Sequence, residues 1–320
     1  MRTYILRRLA LFIPTAFGVS IFIFLMLHVI PGDYATALLI GGRTSQFVAT
    51  EEDFERVREQ LGLNGSLVEQ YVRWAGNFVR GDFGTSWSNR RSVLDRMKPR
   101  IALSAELAAL AIGLALIIAI PGGIIAAVRQ NTRVDYLLRS VSLGFESAPN
   151  FWLALLLILA LLWAFDWIPT ISYAAPWEDP WKNFEALVFP ALIVGARSSA
   201  GMLRMTRSSV LEVLREDYVR TANAKGLERP KVLFVHVLRN ALLPVVTLAG
   251  FEVVILMGGL VVIEQVFNLP GIGKLLVQAI AGRDYPVIQA IIMFVALIVL
   301  VANLVVDILY SWFDPRIRYT

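Results

Sequence analysis

The sequence predicts an all-α, polytopic membrane protein with six transmembrane helices. Of its 320 residues, 57% are hydrophobic and 17% are charged, whereas a soluble domain is roughly 45–50% apolar and 25% charged. The apolar residues form long continuous runs rather than short alternating segments, so helices and not a barrel satisfy the backbone in lipid. Basic residues gather at the ends of these runs, which is typical of membrane topology rather than of nucleic-acid binding.

Six apolar runs have a length of about 20 residues or more, as a bilayer crossing requires. The first follows three arginines like a signal peptide, but it is longer than a cleavable segment and no small-residue cleavage site follows, so we expect it to remain as a helix. The fourth run is interrupted by Arg197. We count it as a span because the basic connections on either side of the region predict two cytoplasmic loops, which require a fourth crossing. The runs are 9–30, 103–127, 137–165, 187–205, 241–263 and 287–309.

The distribution of charge predicts the orientation of these spans. Arg129 and Arg133 join spans two and three, and eight basic residues lie from Arg204, at the end of span four, to Arg239, before span five. Cytoplasmic connections carry such an excess of lysine and arginine. The loop 166–183 is mainly acidic and fits the outside. Both termini are therefore expected in the cytoplasm.

Residues 33–100 form the one sizeable region predicted to lie off the membrane, on the extracytoplasmic side. Thr50 with Asp53 begins one predicted helix, which ends at Gly62, and Ser66 with Glu69 forms a capping box for a second, which ends at Gly81. This small helical layer can pack on itself or on the tops of the spans. The predicted domains are an N-terminal transmembrane helix (1–32), the extracytoplasmic region (33–100) and a membrane domain (101–313), which holds the other five spans and a long loop at 206–240.

The stretch 215–244 is a basic, amphipathic connection between two spans. Tyr218, Ala222 and Lys225 stand at i, i+4 and i+7, and Gly226 follows where a helix would stop. This spacing predicts a short cytoplasmic helix that offers one face to a partner protein.

The sequence gives little support for catalysis. The segment PGIGK at 270–274 resembles a phosphate-binding loop, but it lacks the four residues between the glycines and the Ser or Thr after the lysine. We therefore expect a tight turn leading into a short re-entrant or interfacial helix. His28 and His236 lie at opposite ends of the predicted topology and cannot share a metal, and the chain has no cysteine for thiolate chemistry or disulfides.

Seven polar residues lie inside the predicted spans, where each is costly if it faces hydrocarbon. They either form hydrogen bonds between helices or line a translocation path, and the sequence leaves both interpretations open for each residue. Pro149 with Asn150 also interrupts span three, as happens in cavity-lining helices of transporters. The seven residues are Glu106, Glu146, Asn150, Arg197, Glu252, Asn303 and Asp307.

Seven short segments, spread in order over nearly the whole chain, resemble the first-named permease subunit of dipeptide, oligopeptide and nickel ABC importers. The general importer pattern in the cytoplasmic loop is only partly present, since Ala222, Gly226 and Leu238 match it while Arg220 replaces its acidic residue and His236 its isoleucine. The segments are PGD (31–33), GDFGTSW (81–87), DYVRTANAKGL (217–227), LRNALLP (238–244), PGIGK (270–274), RDYP (283–286) and DPRIR (314–318).

The resemblance implies a type I ABC importer transmembrane fold in a bacterial or archaeal plasma membrane. It implies a homologous second permease, two cytoplasmic ATPase subunits that bind ATP and magnesium, an extracytoplasmic substrate-binding protein, no cofactor in this chain, and peptides as substrate, with glutathione or nickel chelates as variants. It also implies that a set of residues in the 206–240 loop contacts the ATPases and couples them to transport. These residues are Asp217, Tyr218, Arg220, Ala222, Lys225 and Gly226.

Two other interpretations stay open at this point. An ion-coupled secondary carrier would use Glu106, Glu252 and Asp307 as proton or sodium sites, but would leave the 217–227 helix unexplained. A membrane-embedded hydrolase comes third, because no catalytic grouping is recognisable in the sequence.

Overall fold

The computed structural model describes residues 2–29, 55, 65–169 and 173–313, and these residues are mostly helical. In the described ranges the one pairing of β type is an isolated bridge between Thr85 and Ser92. The helices are α1 (Arg2–Val29), α2 (Leu67–Val79), α3 (Val93–Val128), α4 (Arg133–Ser147), α5 (Asn150–Phe165), α6 (Pro180–Val213), α7 (Asp217–Ala224), α8 (Arg229–Lys231), a π-helix (Val232–Val237), α9 (Leu238–Ala241), α10 (Leu243–Val266), α11 (Ile272–Ala281) and α12 (Tyr285–Phe313).

The predicted spans correspond to long apolar helices. Among the described residues, five helices are long and apolar enough to cross a membrane, namely α1, α3, α6, α10 and α12, and a sixth span exists if α4 and α5 are counted together. The all-α, polytopic membrane fold predicted from the sequence is thus confirmed.

The third predicted span, 137–165, is not one straight helix. The segment is two helices, α4 and α5, which meet at an angle of 104°. Pro149 stands at the break, and Ala148 before it has an extended backbone with ψ of 135°. Proline has no N–H to continue the helical ladder and disfavours helical geometry in the residue before it, so α4 stops at Ser147.

The described residues divide into two compact units, whose boundaries fall inside α3, between α10 and α11, and inside α12. The larger unit contains residues 103–169, 173–270 and 301–313, and the smaller unit contains residues 2–29, 55, 65–102 and 271–300.

In the larger unit, α3, α6 and α10 pack around a core of buried aliphatic side chains that includes Leu107, Leu187 and Leu260. Small residues bring the backbones close together. A Cβ added at Gly195 of α6 would lie 2.9 Å from the carbonyl oxygen of Ala111 on α3. Such close approaches are how membrane helices associate.

In the smaller unit, the start of α3 packs on α11 and α12 through buried side chains that include Met97, Leu275 and Ile291. The prediction that PGIGK leads into a short helix is confirmed, because α11 begins directly after Gly271.

A buried carboxylate organises the loops of the smaller unit. Asp284 accepts hydrogen bonds from the hydroxyls of Ser86 and Ser88 and from the backbone N–H of Trp87, and it pairs with Arg96 at 2.9 Å. Burial alone would raise the pKa of Asp284, but these hydrogen bonds and the Arg96 charge outweigh burial and lower it. The segments GDFGTSW and RDYP, nearly 200 residues apart in sequence, therefore meet at this side chain.

The capping box predicted for the second extracytoplasmic helix is confirmed. The hydroxyl of Ser66 accepts from the backbone N–H of Glu69, and the Glu69 carboxylate accepts from the backbone N–H of Ser66 at 2.9 Å. The first predicted helix, from Thr50 to Gly62, lies outside the described residues except for Glu55.

Candidate functional site

The predicted cytoplasmic helix exists as α7, which follows a turn after α6. It ends at Lys225 and Gly226, as the sequence indicates, and Gly226 has a φ of +77°. No atom lies within 4 Å of a Cβ placed on Gly226. Glycine is therefore needed here for its left-handed backbone, which ends the helix, and not for a close contact with a neighbouring side chain.

The face of α7 that points outward differs from the expected one. Ala222 is only 7% exposed and packs with Val219 against Val232, Val237 and Ala241 of the same chain. Val219 and Ala222 are three residues apart, so they share the helix face that this chain itself covers. The expectation that Ala222 offers its side chain to a partner is not met in this structure, and Ala222 instead anchors α7.

The outward surface of α7 is polar. Asp217 and Arg220 form an exposed i,i+3 pair at 3.4 Å, and Lys225 is also exposed. Tyr218 is 42% exposed, and its hydroxyl accepts a hydrogen bond of 2.9 Å from Asn240. The segments DYVRTANAKGL and LRNALLP therefore lie against each other, and the surface they present carries charged groups of both signs.

The segment after α7 contains a π-helix, Val232–Val237, whose residue His236 is partly buried. π-Helices are rare in proteins as a whole. Where single turns of π-helix occur, they are often at functional sites. Val237 and Leu238 are buried in the cluster that also holds Ala222. The π-helix therefore belongs to the same packed base as α7.

A buried ion pair fixes the end of α6 that leads to α7, and sequence reasoning missed it. Arg207 of α6 donates two hydrogen bonds to Asp135 of α4, which is fully buried and also accepts from the backbone N–H of Asn131. The sequence gives only a weak signal for this pair, since Arg207 is one of many basic residues near the ends of spans and Asp135 follows a basic loop. The pair ties the short loop before α4 to α6.

The predicted intramembrane polar residues have different surroundings. Glu106 accepts a hydrogen bond of 2.7 Å from the hydroxyl of Tyr173. Glu146 and Arg204 form an ion pair with two hydrogen bonds. Within the described part of the chain, Oδ1 of Asn150 and Nε of Arg197 are buried without a hydrogen-bond partner. These two atoms are the strongest indication of a polar path or of bound water in the larger unit.

The other predicted residues contribute less to a common site. Glu252 is half-buried on α10, with the Ser198 hydroxyl and the Arg197 charge nearby. Asn303 is exposed and Asp307 is partly buried on α12. A carboxylate that sequence reasoning missed, Glu264, is fully buried at the end of α10 and accepts a hydrogen bond of 2.6 Å from Ser104.

A family model described as "Binding-protein-dependent transport system inner membrane component" matches residues 119–319, and one described as "Binding-prot-dependent transport system membrane comp, N-term" matches residues 1–108. The segments at 31–33 and 314–318 lie within these matches but outside the described residues.

Two relatives cover the chain completely. The glutathione transport system permease protein GsiC of Escherichia coli (strain K12) is 42% identical over 319 residues, and the oligopeptide transport system permease protein AppB of Bacillus subtilis (strain 168) is 40% identical over 322 residues. In both cases the similarity extends over 100% of each chain.

Together with the helical membrane fold and the short helix α7, these matches show that the chain belongs to the family of binding-protein-dependent transport system inner membrane components and is a multi-pass permease subunit of an ABC importer, not an ion-coupled carrier.

Proposed function

We propose that this permease carries peptides, in the size range from glutathione to short oligopeptides. The proposal is supported by two full-length relatives named for glutathione and for oligopeptide transport. The chain would form the path with a homologous second permease and receive substrate from an extracytoplasmic binding protein. ATP and magnesium would bind to two cytoplasmic ATPase subunits, so this chain needs no cofactor of its own.

The observation that carries the coupling mechanism is the inward packing of α7. Because Val219 and Ala222 fix α7 to the chain's own core, a force on its outer surface passes directly to the end of α6 and to the π-helix. Asp217, Tyr218, Arg220 and Lys225 would contact the ATPase.

The remaining two residues of the proposed coupling site act through shape. Ala222 would hold α7 at its angle, and Gly226 would end it at the correct residue. A short helix set in a groove of a partner is a recurring mode of recognition.

A polar groove beside α7 supports the same assignment. It has a volume of about 490 Å³ and lies where the end of α6 meets the start of α7. Its charged lining suits a polar edge of an ATPase surface. The lining residues are Ser208, Leu211, Glu212, Arg215, Glu216 and Asp217.

The intramembrane polar residues would divide between path and packing. Asn150 and Glu252 are proposed to line the path, because the first has a buried oxygen without a hydrogen-bond partner in the described structure and the second is half-buried. Glu106, with its bond to Tyr173, fits a packing role. For Asn303 and Asp307, both path lining and helix packing stay open.

The test is reconstitution of the complete importer in proteoliposomes. Peptide uptake should require ATP on the side of α7, and this chain alone should transport nothing under a proton or sodium gradient. Replacing Arg220 and Lys225 by Glu should leave the permease folded and inserted but reduce co-purification of the ATPases and peptide-stimulated ATP hydrolysis.

A matched control is the same reversal at Arg129, a basic residue exposed in a different cytoplasmic loop. If the variant with Arg220 and Lys225 replaced by Glu takes up peptide normally, α7 does not couple the ATPases to transport. If the assembled complex hydrolyses ATP but transports no peptide, the proposal that peptides are the substrates would be wrong.

A further inference from the structure

Helix α2 uses one part of its apolar face to pack on α1. The rings of Tyr71 and Trp74 lie 5.5 Å and 5.9 Å from the ring of Phe24, and the hydroxyl of Tyr71 is 2.7 Å from that of Ser20. Phe17 completes this contact, with its ring 6.0 Å from Tyr71. The aromatic side of α2 therefore follows residues 17–24 of α1.

This contact sets the depth of α2 relative to the bilayer. The apolar part of α1 that can cross a membrane is Arg7–Met26. Because α2 packs beside residues 17–24, it lies next to the second half of that span and not beyond its end. α2 thus packs on a span, which is one of the two arrangements predicted for this layer. Tyr71 and Trp74 belong to the two residue types that are enriched at the boundary between hydrocarbon and headgroups.

The rest of the apolar face of α2 has no cover in the described structure. Val68, Val72 and Val79 are 71%, 62% and 86% exposed. They share one side of the helix at i, i+4 and i+11, turned away from the polar side that carries Arg73 and Asn77. A charged face opposite an apolar face with aromatic residues is the pattern of a helix lying in the membrane interface.

An apolar groove opens between α2, α1 and the first half of α12, all in the smaller unit. It has a volume of about 620 Å³, within the usual range of roughly 300–1,000 Å³ for ligand sites. Its lining is apolar except at Ser20, Tyr71 and Trp74, and the two hydroxyls bond each other. Water would find few partners in such a groove. The apolar lining residues are Ala16, Phe17, Val72, Ala75, Phe78, Val79, Met293 and Leu297.

We propose that this groove is a lipid site, which holds an acyl chain of a membrane phospholipid in the leaflet crossed by the second half of α1. Exposed apolar side chains extend the groove side of α1, including Leu9 and Ile13, and as parts of a spanning helix they meet lipid tails. A hydrocarbon chain matches this lining, and the polar side of α2 faces the headgroups. The inference does not depend on the transported substrate.

The first test uses the full chain in vesicles of phosphatidylethanolamine and phosphatidylglycerol that contain a phospholipid with a photoactivatable acyl chain. Light should attach the lipid to peptides of α1 and α2 that line the groove. Ala75→Phe, which fills the groove, should reduce this labelling several-fold, and Asn77→Phe on the polar side should not. Labelling of other spans without labelling of the groove would overturn the proposal.

A second test reads the surroundings of α2 directly and does not need the groove to be filled. The chain has no cysteine, so Val72→Cys and Asn77→Cys can each carry one nitroxide. The label at position 72 should collide more often with oxygen than with a water-soluble nickel complex, and the label at position 77 should show the reverse. Preference for the nickel complex at position 72, or line broadening from a second nitroxide on another copy, would contradict a lipid occupant.

Discussion

The guanidinium of Arg207 on α6 and the carboxylate of Asp135 on α4 are joined by two hydrogen bonds, of 2.7 Å from Nε to Oδ1 and of 2.8 Å from Nη2 to Oδ2. The Asp135 carboxylate is fully buried, and the Arg207 side chain is 15% exposed. Removing one partner of a buried pair leaves the other charge uncompensated, which costs far more than the pair itself contributes.

Arg207→Met should therefore lower the free energy of unfolding by roughly 3–5 kcal/mol, because Asp135 stays buried with no matching charge. The measurement is thermal or denaturant unfolding of the purified chain in detergent. Arg220→Met is the matched control, since its pair with Asp217 is exposed and contributes little. Equal stability of the two variants would contradict a structural role for the Asp135–Arg207 pair.

Ala222→Trp should destabilise the permease itself, before any partner is added. The side chain is buried against this chain's own Val232 and Ala241, and overpacking costs about 1–3 kcal/mol. Unfolding in detergent measures the loss. Ala224→Trp, two residues along on the exposed side of α7, should unfold like the wild type and affect only ATPase binding. A fully stable Ala222→Trp chain would show that α7 does not pack as described.

Gly226→Val should cost roughly 1–2 kcal/mol, because a β-branched residue is strained at the left-handed φ of +77°. Gly226→Asn should be tolerated better, since asparagine adopts this conformation more readily. The comparison of the two variants by unfolding and by ATPase co-purification separates backbone strain from contact. If asparagine were as damaging as valine, a close contact at position 226 would be indicated instead.

Asp284 makes the stability of the smaller unit dependent on pH. Its pKa is lowered in the folded state by the hydrogen bonds and by Arg96, so its contribution is complete above the unfolded value of about 4 and is lost as pH falls through the folded value. Asp284→Asn should be less stable at neutral pH and lose less on acidification. Unfolding midpoints across this range measure both effects, with Asp95→Asn, an exposed carboxylate, as control. Parallel curves for wild type and Asp284→Asn would refute the assignment.

The orientation proposed from loop charges can be tested in a chain without cysteine. Single cysteines at Asn89, Glu178 and Gly282 should react with an impermeant thiol reagent added outside intact cells, and cysteines at Asn131 and Glu228 should react only after permeabilisation. All five positions are exposed, so failure to react reports the side and not burial. Reaction of position 228 from outside would reverse the topology.

Features that depend on local sequence could be predicted well. Continuous apolar runs gave the long helices, Ser66 with Glu69 gave the cap of α2, and Gly226 gave the end of α7, because each depends on residues within one or two helical turns. The bend at Pro149 was recognisable as an interruption, but its angle depends on packing of α5 against α6 and α10.

Features that depend on distant contacts could not be predicted from one sequence. Asp135 meets Arg207 across 72 residues, and Asp284 meets Ser86 across 198. Nothing in the local spacing of either pair distinguishes it from the many other charged and polar residues of the loops. The inward face of Ala222 was missed for the same reason, since Val237 and Ala241 cover it only after the chain has turned back through the π-helix.

The break between α4 and α5 divides the third span into two rigid rods with a joint. Pro149 cannot donate to a helical ladder across the break, so a change of the angle between α4 and α5 would not have to break such a hydrogen bond. α4 is tied to α6 through Asp135 and Glu146, whereas α5 packs in the membrane core through Ala154. α4 is therefore held with the end of α6 that leads to α7, and the bend of 104° at Pro149 separates it from α5.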